Sequence, residues 1–118
     1  HRLRLSLVNC AAEDLPFADS SFDIVFHVGG LNFFSDKPRA IREMYRVAKP
    51  GTLLLVADET QDFVESQYQK NALTKKAYQD AHFDLAEIEH AIPPEALDCK
   101  THYLWDKRFY AITFRKGK

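Results

Sequence analysis

Two nearly continuous apolar runs constrain the fold of this chain most, FDIVFHV at residues 22–28 and LLLVA at residues 53–57. Short runs without polar alternation are typical of strands that are buried on both faces in a parallel sheet. Between the runs, apolar residues recur at the spacing of one helix face, at Ala40, Ile41, Met44, Val47 and Ala48. A strand, a helix and a second strand predict a parallel pair joined by a crossover.

The predicted helix has clear start and stop signals. Ser35 or Asp36 can cap its beginning, and Pro38 fits its first turn. Lys49 complements the charge at its C-terminal end, and the Pro-Gly pair at residues 50–51 stops it. The second apolar run therefore starts as a new strand.

The remaining segments complete an α/β order of strand, strand, helix, strand, helix and hairpin. Leucines alternate with polar residues at the start, which predicts a strand over Leu3–Asn9 with one exposed face. Helical patterns run from Phe63 to about Ala81 and from Asp84 to the Pro-Pro pair at 93–94. Two alternating runs, 97–104 and 108–114, flank a three-residue turn and predict a hairpin. We expect one small domain with a three-layer sheet.

Composition and charge exclude several classes of partner. The chain has 118 residues and a net charge of −1, and its Lys and Arg are scattered, so we expect no nucleic-acid surface. The apolar runs are far shorter than the ~20 residues of a membrane-spanning helix, so we expect no membrane association. Cys10 and Cys99 lie far apart without ligand spacing, which predicts reduced, buried thiols, no metal site and a cytoplasmic location.

An acidic loop and a glycine pair mark the ends of the predicted strands. CAAEDLPFADSSFDIV, at residues 10–25, holds Glu13 and Asp14 before a proline and a polar turn. Gly29-Gly30 ends the first apolar run and permits a tight turn or a close approach of the backbone to a ligand. Carboxyl ends of parallel strands form the ligand crevice in such sheets.

These segments together resemble a known family. AEDLPFADSSFDIV, the glycine-containing strand end, IREMYRVAKPG and a strand ending in Asp58 are similar to the C-terminal half of class I S-adenosylmethionine-dependent methyltransferases. The resemblance is strongest with the ubiquinone/menaquinone biosynthesis branch, of the methyltransferase type 11 kind. It covers Leu3 to about Asp58 well and the rest loosely. It implies a Rossmann-like α/β sheet that lacks its first two strands, with parallel strands followed by a C-terminal antiparallel hairpin.

The resemblance also implies which residues contact the cofactor. The family's loop after strand 3 lies along the adenine, and the contacting stretch falls on Ala11, Ala12 and Glu13. Many relatives have an acceptor where Ala11 stands here, and Glu13 or Asp14 would take its place. The end of strand 4 places three residues beside the methionine and ribose portions and one near the substrate, namely His27, Val28, Gly29 and Asn32. S-adenosylmethionine is the implied cofactor, and a small molecule is the implied methyl acceptor.

Alternatives stay open at several of these positions. His27 lies near the cofactor, or it is a strand histidine bound by a backbone carbonyl. Asp58 lies on the ligand side of the sheet, or it is an acid favoured at a helix N-terminus. No catalytic residue is assigned, because methyl transfer from a sulfonium depends mainly on positioning.

Two features of the family pattern are missing from the sequence. No G-x-G occurs in the chain, and too few residues precede Asn9 for two strands and two helices. Residues 1–118 are therefore predicted to be a partial domain, from strand 3 to strand 7, that is inactive alone. The resemblance implies a sheet in the order 3-2-1-4-5-7-6, in which the strand at 22–28 is strand 4. Without strands 1 and 2, one edge of that strand is bare and has unpaired backbone groups.

Three arrangements would satisfy that bare edge. A preceding segment covers it, Leu3–Asn9 pairs with it directly, or two chains pair edge to edge as a homodimer. A function from a different class follows from the same edge, a non-catalytic interaction module that acts by strand addition. An upstream strand followed by a G-x-G loop would favour the methyltransferase.

Overall fold

The computed structural model describes residues 4–60, 63–64 and 85–118, and for Asn32 it describes the backbone alone. Its elements, in chain order, are strand β1 (Phe22–Val28), a 3₁₀ turn (Leu31–Phe33), helix α1 (Lys37–Val47), strand β2 (Ala48–Glu59), helix α2 (Leu85–Ala91), and strands β3 (Leu97–Leu104) and β4 (Phe109–Arg115). The helix predicted from Phe63 to Ala81 lies outside the described residues except at 63–64, which are helical. Asp84, the predicted start of α2, also lies outside them.

The four strands form one mixed sheet in the order β1-β2-β4-β3. β1 pairs with β2 in parallel, and β4 is antiparallel to both of its neighbours. The predicted fold class, an α/β sheet with parallel strands and a C-terminal antiparallel hairpin, is confirmed. This strand order also matches positions 4-5-7-6 of the family sheet.

Helix α1 begins as its sequence predicts and ends earlier than predicted. The Asp36 side chain accepts a hydrogen bond from the Arg39 N–H at 3.1 Å, and Pro38 lies in the first turn. Ala48 is already extended, so β2 begins five residues before the apolar run. Lys116, rather than Lys49, donates to carbonyls at the end of the helix, that of Arg46 in the last turn at 3.2 Å and that of the following Ala48 at 2.8 Å.

The hydrophobic core lies between α1, α2 and one face of the sheet. Its fully buried side chains come from both helices and the two central strands, and include Ile41, Leu54, Val56, Ile88, Ile112 and Phe114. Residues that alternate along β2 and β4 reach this face in register, since Val56 pairs with Ile112 and Leu54 with Phe114. The C-terminal hairpin therefore completes the core that β1 and β2 begin.

The opposite face of the sheet is open in the part of the chain that the structure describes, which corrects one prediction. Ile24, Phe26 and Val28 are 66%, 69% and 59% exposed. They alternate along β1 with the half-buried Val25 and His27, which face the helices. The prediction that β1 is buried on both faces is thus wrong, and the described residues form two layers instead of three.

The prediction of a strand at Leu3–Asn9 is wrong, because residues 4–9 form no strand. Leu5 and Leu7 are 70% and 87% exposed. The following residues are hydrogen bonded along α1, through the amides of Leu15 and Ser21 among others, so they do not bring this segment back to the edge of β1. Direct pairing of Leu3–Asn9 with β1 is therefore excluded for the described residues.

The two cysteines differ from their sequence prediction. Cys10 and Cys99 are both free, but both are exposed, so the prediction of buried thiols is wrong. Cys10 belongs to the unpaired segment at residues 4–10, and Cys99 lies on β3, every residue of which is exposed.

Within the described ranges, no helix is both long and apolar enough to cross a membrane.

The open face predicts opposite outcomes for one substitution at two positions. Phe114→Ala, at a fully buried side chain, is expected to lower the free energy of unfolding by about 3–5 kcal/mol. Phe26→Ala, at an exposed side chain of the same type, is expected to cost less than about 1 kcal/mol. Urea unfolding of the 118-residue chain measures both. Equal losses would show that the β1 face is covered.

Candidate functional site

The parallel strands β1 and β2 end at the same edge of the sheet, where a turn leaves β1. The Gly29 N–H continues the strand pairing and donates to the Ala57 carbonyl at 2.9 Å. Gly29 and Gly30 have φ of 78° and 75°. A Cβ at either position would meet no atom within 4 Å, so these glycines are required by their left-handed backbone and not by crowding.

Asp58, at the end of β2, holds this turn. Its Oδ2 accepts a hydrogen bond from the Leu31 N–H at 2.8 Å, and its Oδ1 accepts from the Glu59 N–H at 2.8 Å. Both Asp58 and Leu31 are buried. Asp58 thus lies at the carboxyl edge of the parallel strands, where its carboxylate binds the backbone that forms that edge.

Tyr110 lies opposite Asp58 on β4. Its side chain is buried, and its hydroxyl has no hydrogen-bond partner among the described residues. Burial, together with the nearby charge of Asp58, raises the pKa of Tyr110. The phenol therefore stays protonated at neutral pH.

His27 and Val28 point to opposite faces of β1. The His27 ring packs against Phe34, with 4.9 Å between ring centroids. Its Nε2 is buried and has no partner in the part of the chain that the structure describes, so it is not bound by a backbone carbonyl there. Val28 lies on the open face. Asn32 lies in the 3₁₀ turn, and only its backbone is described.

The acidic loop, residues 11–19, contacts the beginning of α1. A turn closes its first part, with the Asp14 N–H donating to the Ala11 carbonyl at 3.1 Å. Glu13 Oε1 accepts from the Ser35 hydroxyl and the Asp36 N–H, both at 3.3 Å. Hydrogen bonds from the backbone amides of Glu13 itself and of Asp36 lower the pKa of Glu13. Asp14 remains exposed, whereas Ala12 is half-buried.

A pair of side chains on α1 that the sequence reasoning missed, Glu43 and Arg46, binds the rest of the acidic loop. Arg46 Nη1 donates to the Phe17 carbonyl at 2.8 Å and to Asp19 Oδ1 at 2.8 Å. Arg46 Nη2 donates to the Leu15 carbonyl at 3.0 Å, and Glu43 Oε1 accepts from the Leu15 N–H at 2.9 Å. Their spacing of three residues within IREMYRVAKPG was the available signal.

A series of contacts links the predicted site residues. Glu13 reaches the segment just before α1, Phe34 of the preceding segment packs on His27, and Gly29 pairs with β2. The predicted loop residues and the backbone at Gly29 and Asn32 therefore share the carboxyl edge of the parallel strands. The side chain of Val28 lies apart from them, on the open face.

Comparisons with known proteins show which family this chain resembles. Residues 1–56 match the model of the methyltransferase domain family. The ubiquinone/menaquinone biosynthesis C-methyltransferase of Klebsiella pneumoniae is 47% identical over 58 residues, which cover 49% of this chain and 23% of that protein. The protein of the same name from Pseudoalteromonas translucida is 38% identical over 81 residues, covering 69% of this chain and 30% of its own length.

Solved structures extend the likeness to the rest of the chain. A SAM-dependent methyltransferase from Thermotoga maritima is 25% identical with a TM-score of 0.65, and the match covers 89% of this chain and 61% of that one. The chain resembles the class I S-adenosylmethionine-dependent methyltransferases in sequence over residues 1–56 and in fold over most of its length. Members of the family use S-adenosylmethionine as the methyl donor.

Fold likeness without close sequence identity reaches further. A protein from Pyrococcus horikoshii has a TM-score of 0.74 at 12% identity, and the match covers 96% of this chain and 60% of that one. The chain spans about a quarter of the length of the two curated relatives, 23% and 30%.

The Glu43–Arg46 pair predicts a pH dependence of the free energy of unfolding. The hydrogen bond from Arg46, with that from the Leu15 N–H, lowers the pKa of Glu43 below 4.5. The unfolded chain therefore takes up this proton first, so the contribution is present above pH 4.5 and is lost as the pH falls through the lower folded value.

Glu43→Gln is expected to make the fall in unfolding free energy below pH 4.5 shallower, since Gln does not titrate. Urea unfolding at a series of pH values measures this. The matched control is Glu89→Gln, at an exposed residue of α2 whose side chain makes no hydrogen bond in the described ranges. An unchanged slope for Glu43→Gln, equal to that of the control, would contradict the role of Glu43.

Proposed function

We propose that this chain forms the adenosine-facing side of an S-adenosylmethionine site and that the parent domain methylates a small molecule. The observation that carries the proposal is the turn at Gly29–Leu31, fixed by Asp58 at the carboxyl edge of two parallel strands. Ligands bind at this edge in open α/β sheets. The relatives are named for C-methylation in ubiquinone/menaquinone biosynthesis, which supports a small-molecule acceptor.

The residues present fit the adenosine part of the cofactor. Asp14 supplies an exposed carboxylate that can accept from an amino group, and the exposed backbone at Gly30 permits close approach. Glu13 serves less well as an acceptor because its Oε1 already binds the start of α1. His27, with an unpartnered buried nitrogen in the described part of the chain, lies just behind the turn.

The chemistry requires little from these side chains. When bound, S-adenosylmethionine supplies a methyl group that its sulfonium already activates. The chain orients the cofactor through the acidic loop and the glycine turn. We assign no general base. Two free cysteines are compatible with a reducing compartment, which supports a cytoplasmic location.

Calorimetry with S-adenosylhomocysteine tests whether these 118 residues form only part of the site. We expect no micromolar binding, because the sequence has no G-x-G loop to bind the methionine portion. Micromolar binding by the chain alone would show that it holds a sufficient site, which would contradict the proposal that the isolated chain is inactive. Titration with adenosine under the same conditions controls for non-specific nucleoside binding.

A second function, an interaction module, is supported by a different observation. β1 is the edge strand of the described sheet, and its outward-facing Ile24, Phe26 and Val28 are exposed. Such an edge can accept a strand from a partner, including a second copy of this chain.

Light scattering during size exclusion tests that second function. If β1 pairs with a second copy, the 13.6 kDa chain is expected to elute as a dimer at high micromolar concentration. Phe26→Lys should then give a monomer, because a charge on the apolar face opposes association. The control, Leu104→Lys, places the same charge on β3 at the other edge. A monomer without any substitution would contradict self-association.

A further inference from the structure

The acidic loop has no internal structure that could fix its position. Residues 11–19 contain no helix or strand, and their internal backbone bonding in the described structure is the turn from Asp14 to Ala11. The loop carries three acids, at residues 13, 14 and 19. Its placement must therefore come from the surface that it lies on, and that surface is α1.

Contacts with α1 are distributed along the whole loop. Glu13 binds the start of the helix, and Ser20 and Ser21, which follow the loop, donate to the carbonyls of Arg46 and Val47 at its end. The loop thus runs along the helix from its N-terminus to its C-terminus. The distance between the acidic loop and the glycine turn therefore depends on where, between the two ends of α1, the loop is attached.

The Glu43–Arg46 pair supplies that attachment. Arg46 donates to two loop carbonyls and one loop carboxylate while its Nε donates to Glu43 Oε2 at 2.6 Å. Glu43 in turn accepts from the Leu15 N–H. The Arg46 side chain is 32% exposed and the Glu43 side chain 16%, so their hydrogen bonds to the loop are partly shielded from water. Only a planar guanidinium offers donors to this many acceptors at once.

Resting on the proposed function, we propose that Arg46 and Glu43 are positioning residues for the cofactor. They hold the acidic loop against α1 and so set the place of the adenine-facing residues Ala12–Asp14. Neither side chain needs to touch the ligand. Binding of the adenosine portion then depends on two side chains of α1 as well as on the loop itself.

Amide hydrogen exchange measured by NMR tests the attachment without any ligand. In Arg46→Lys, which keeps the charge and loses the fork, exchange of the Leu15 amide is expected to rise roughly tenfold. Exchange at Val56, in the core of β2, should not change and so reports that the sheet is intact. The matched control, Arg42→Lys, makes the same substitution at an exposed position of α1. Unchanged Leu15 exchange in Arg46→Lys would overturn the proposal.

An NMR titration with S-adenosylhomocysteine tests the link to the cofactor. We expect the dissociation constant to rise about fivefold or more in Arg46→Lys and to stay constant in Arg42→Lys, since a released loop must be ordered again on binding. Glu43→Gln, which removes the other half of the pair, should give the same pattern and covers the case in which Arg46→Lys does not fold. Faster loop exchange with an unchanged dissociation constant would overturn the positioning role.

The two experiments separate the two proposals. If the unsubstituted chain shows no S-adenosylhomocysteine shifts, the cofactor site and the positioning role both fail, while the exchange data still report the attachment. If the unsubstituted chain binds and the variants bind equally well, the proposed function stands and the positioning role fails.

Discussion

The parallel pairing of β1 with β2 is the constraint on which the rest of the structure depends. Parallel neighbours cannot be joined by a tight turn, so the chain must cross over through α1, which then covers one face of the sheet. The same pairing brings the glycine turn after Val28 and the carboxylate of Asp58 to one edge. The crossover helix also provides the surface that orders the acidic loop. Core, turn and loop are therefore consequences of one pair of strands.

Much of this arrangement follows from the sequence, because its signals are local. The apolar stripe with Asp36 and Pro38 predicts α1, and the hairpin follows from two alternating runs around a short turn. The burial of β1 could not be predicted from its composition. FDIVFHV places four apolar side chains on one face and Asp23, Val25 and His27 on the other. Whether the apolar face is covered depends on which other segments pack there, which the run itself does not encode. The alternation before Asn9 is likewise a strand pattern, but a strand requires a hydrogen-bonded neighbour.

The sequence predicts where the candidate site lies, but it does not predict which hydrogen bonds form it. Strand ends and glycines indicate the carboxyl edge, whereas the partner of each polar side chain depends on tertiary contacts between distant residues. Asp58 and Leu31 are 27 residues apart, and Arg46 and Leu15 are 31 apart. Glu13 shows the same limit, since the sequence does not indicate that its carboxylate accepts a hydrogen bond from the start of α1. Glu43 and Arg46, which hold the loop, belong to the helix beneath it. The most visible sequence pattern of that helix is its apolar stripe, which does not include them.

We propose that the acidic loop and the glycine turn together form one wall of a cofactor site. A titration of the ¹⁵N-labelled chain with S-adenosylhomocysteine at millimolar concentration, followed by amide chemical shifts, tests it most directly because it locates even weak binding. We expect fast-exchange shifts at residues 11–14 and 28–32, with little change at the exposed strand β3. The absence of shifts, or shifts confined to β3 and α2, would contradict it.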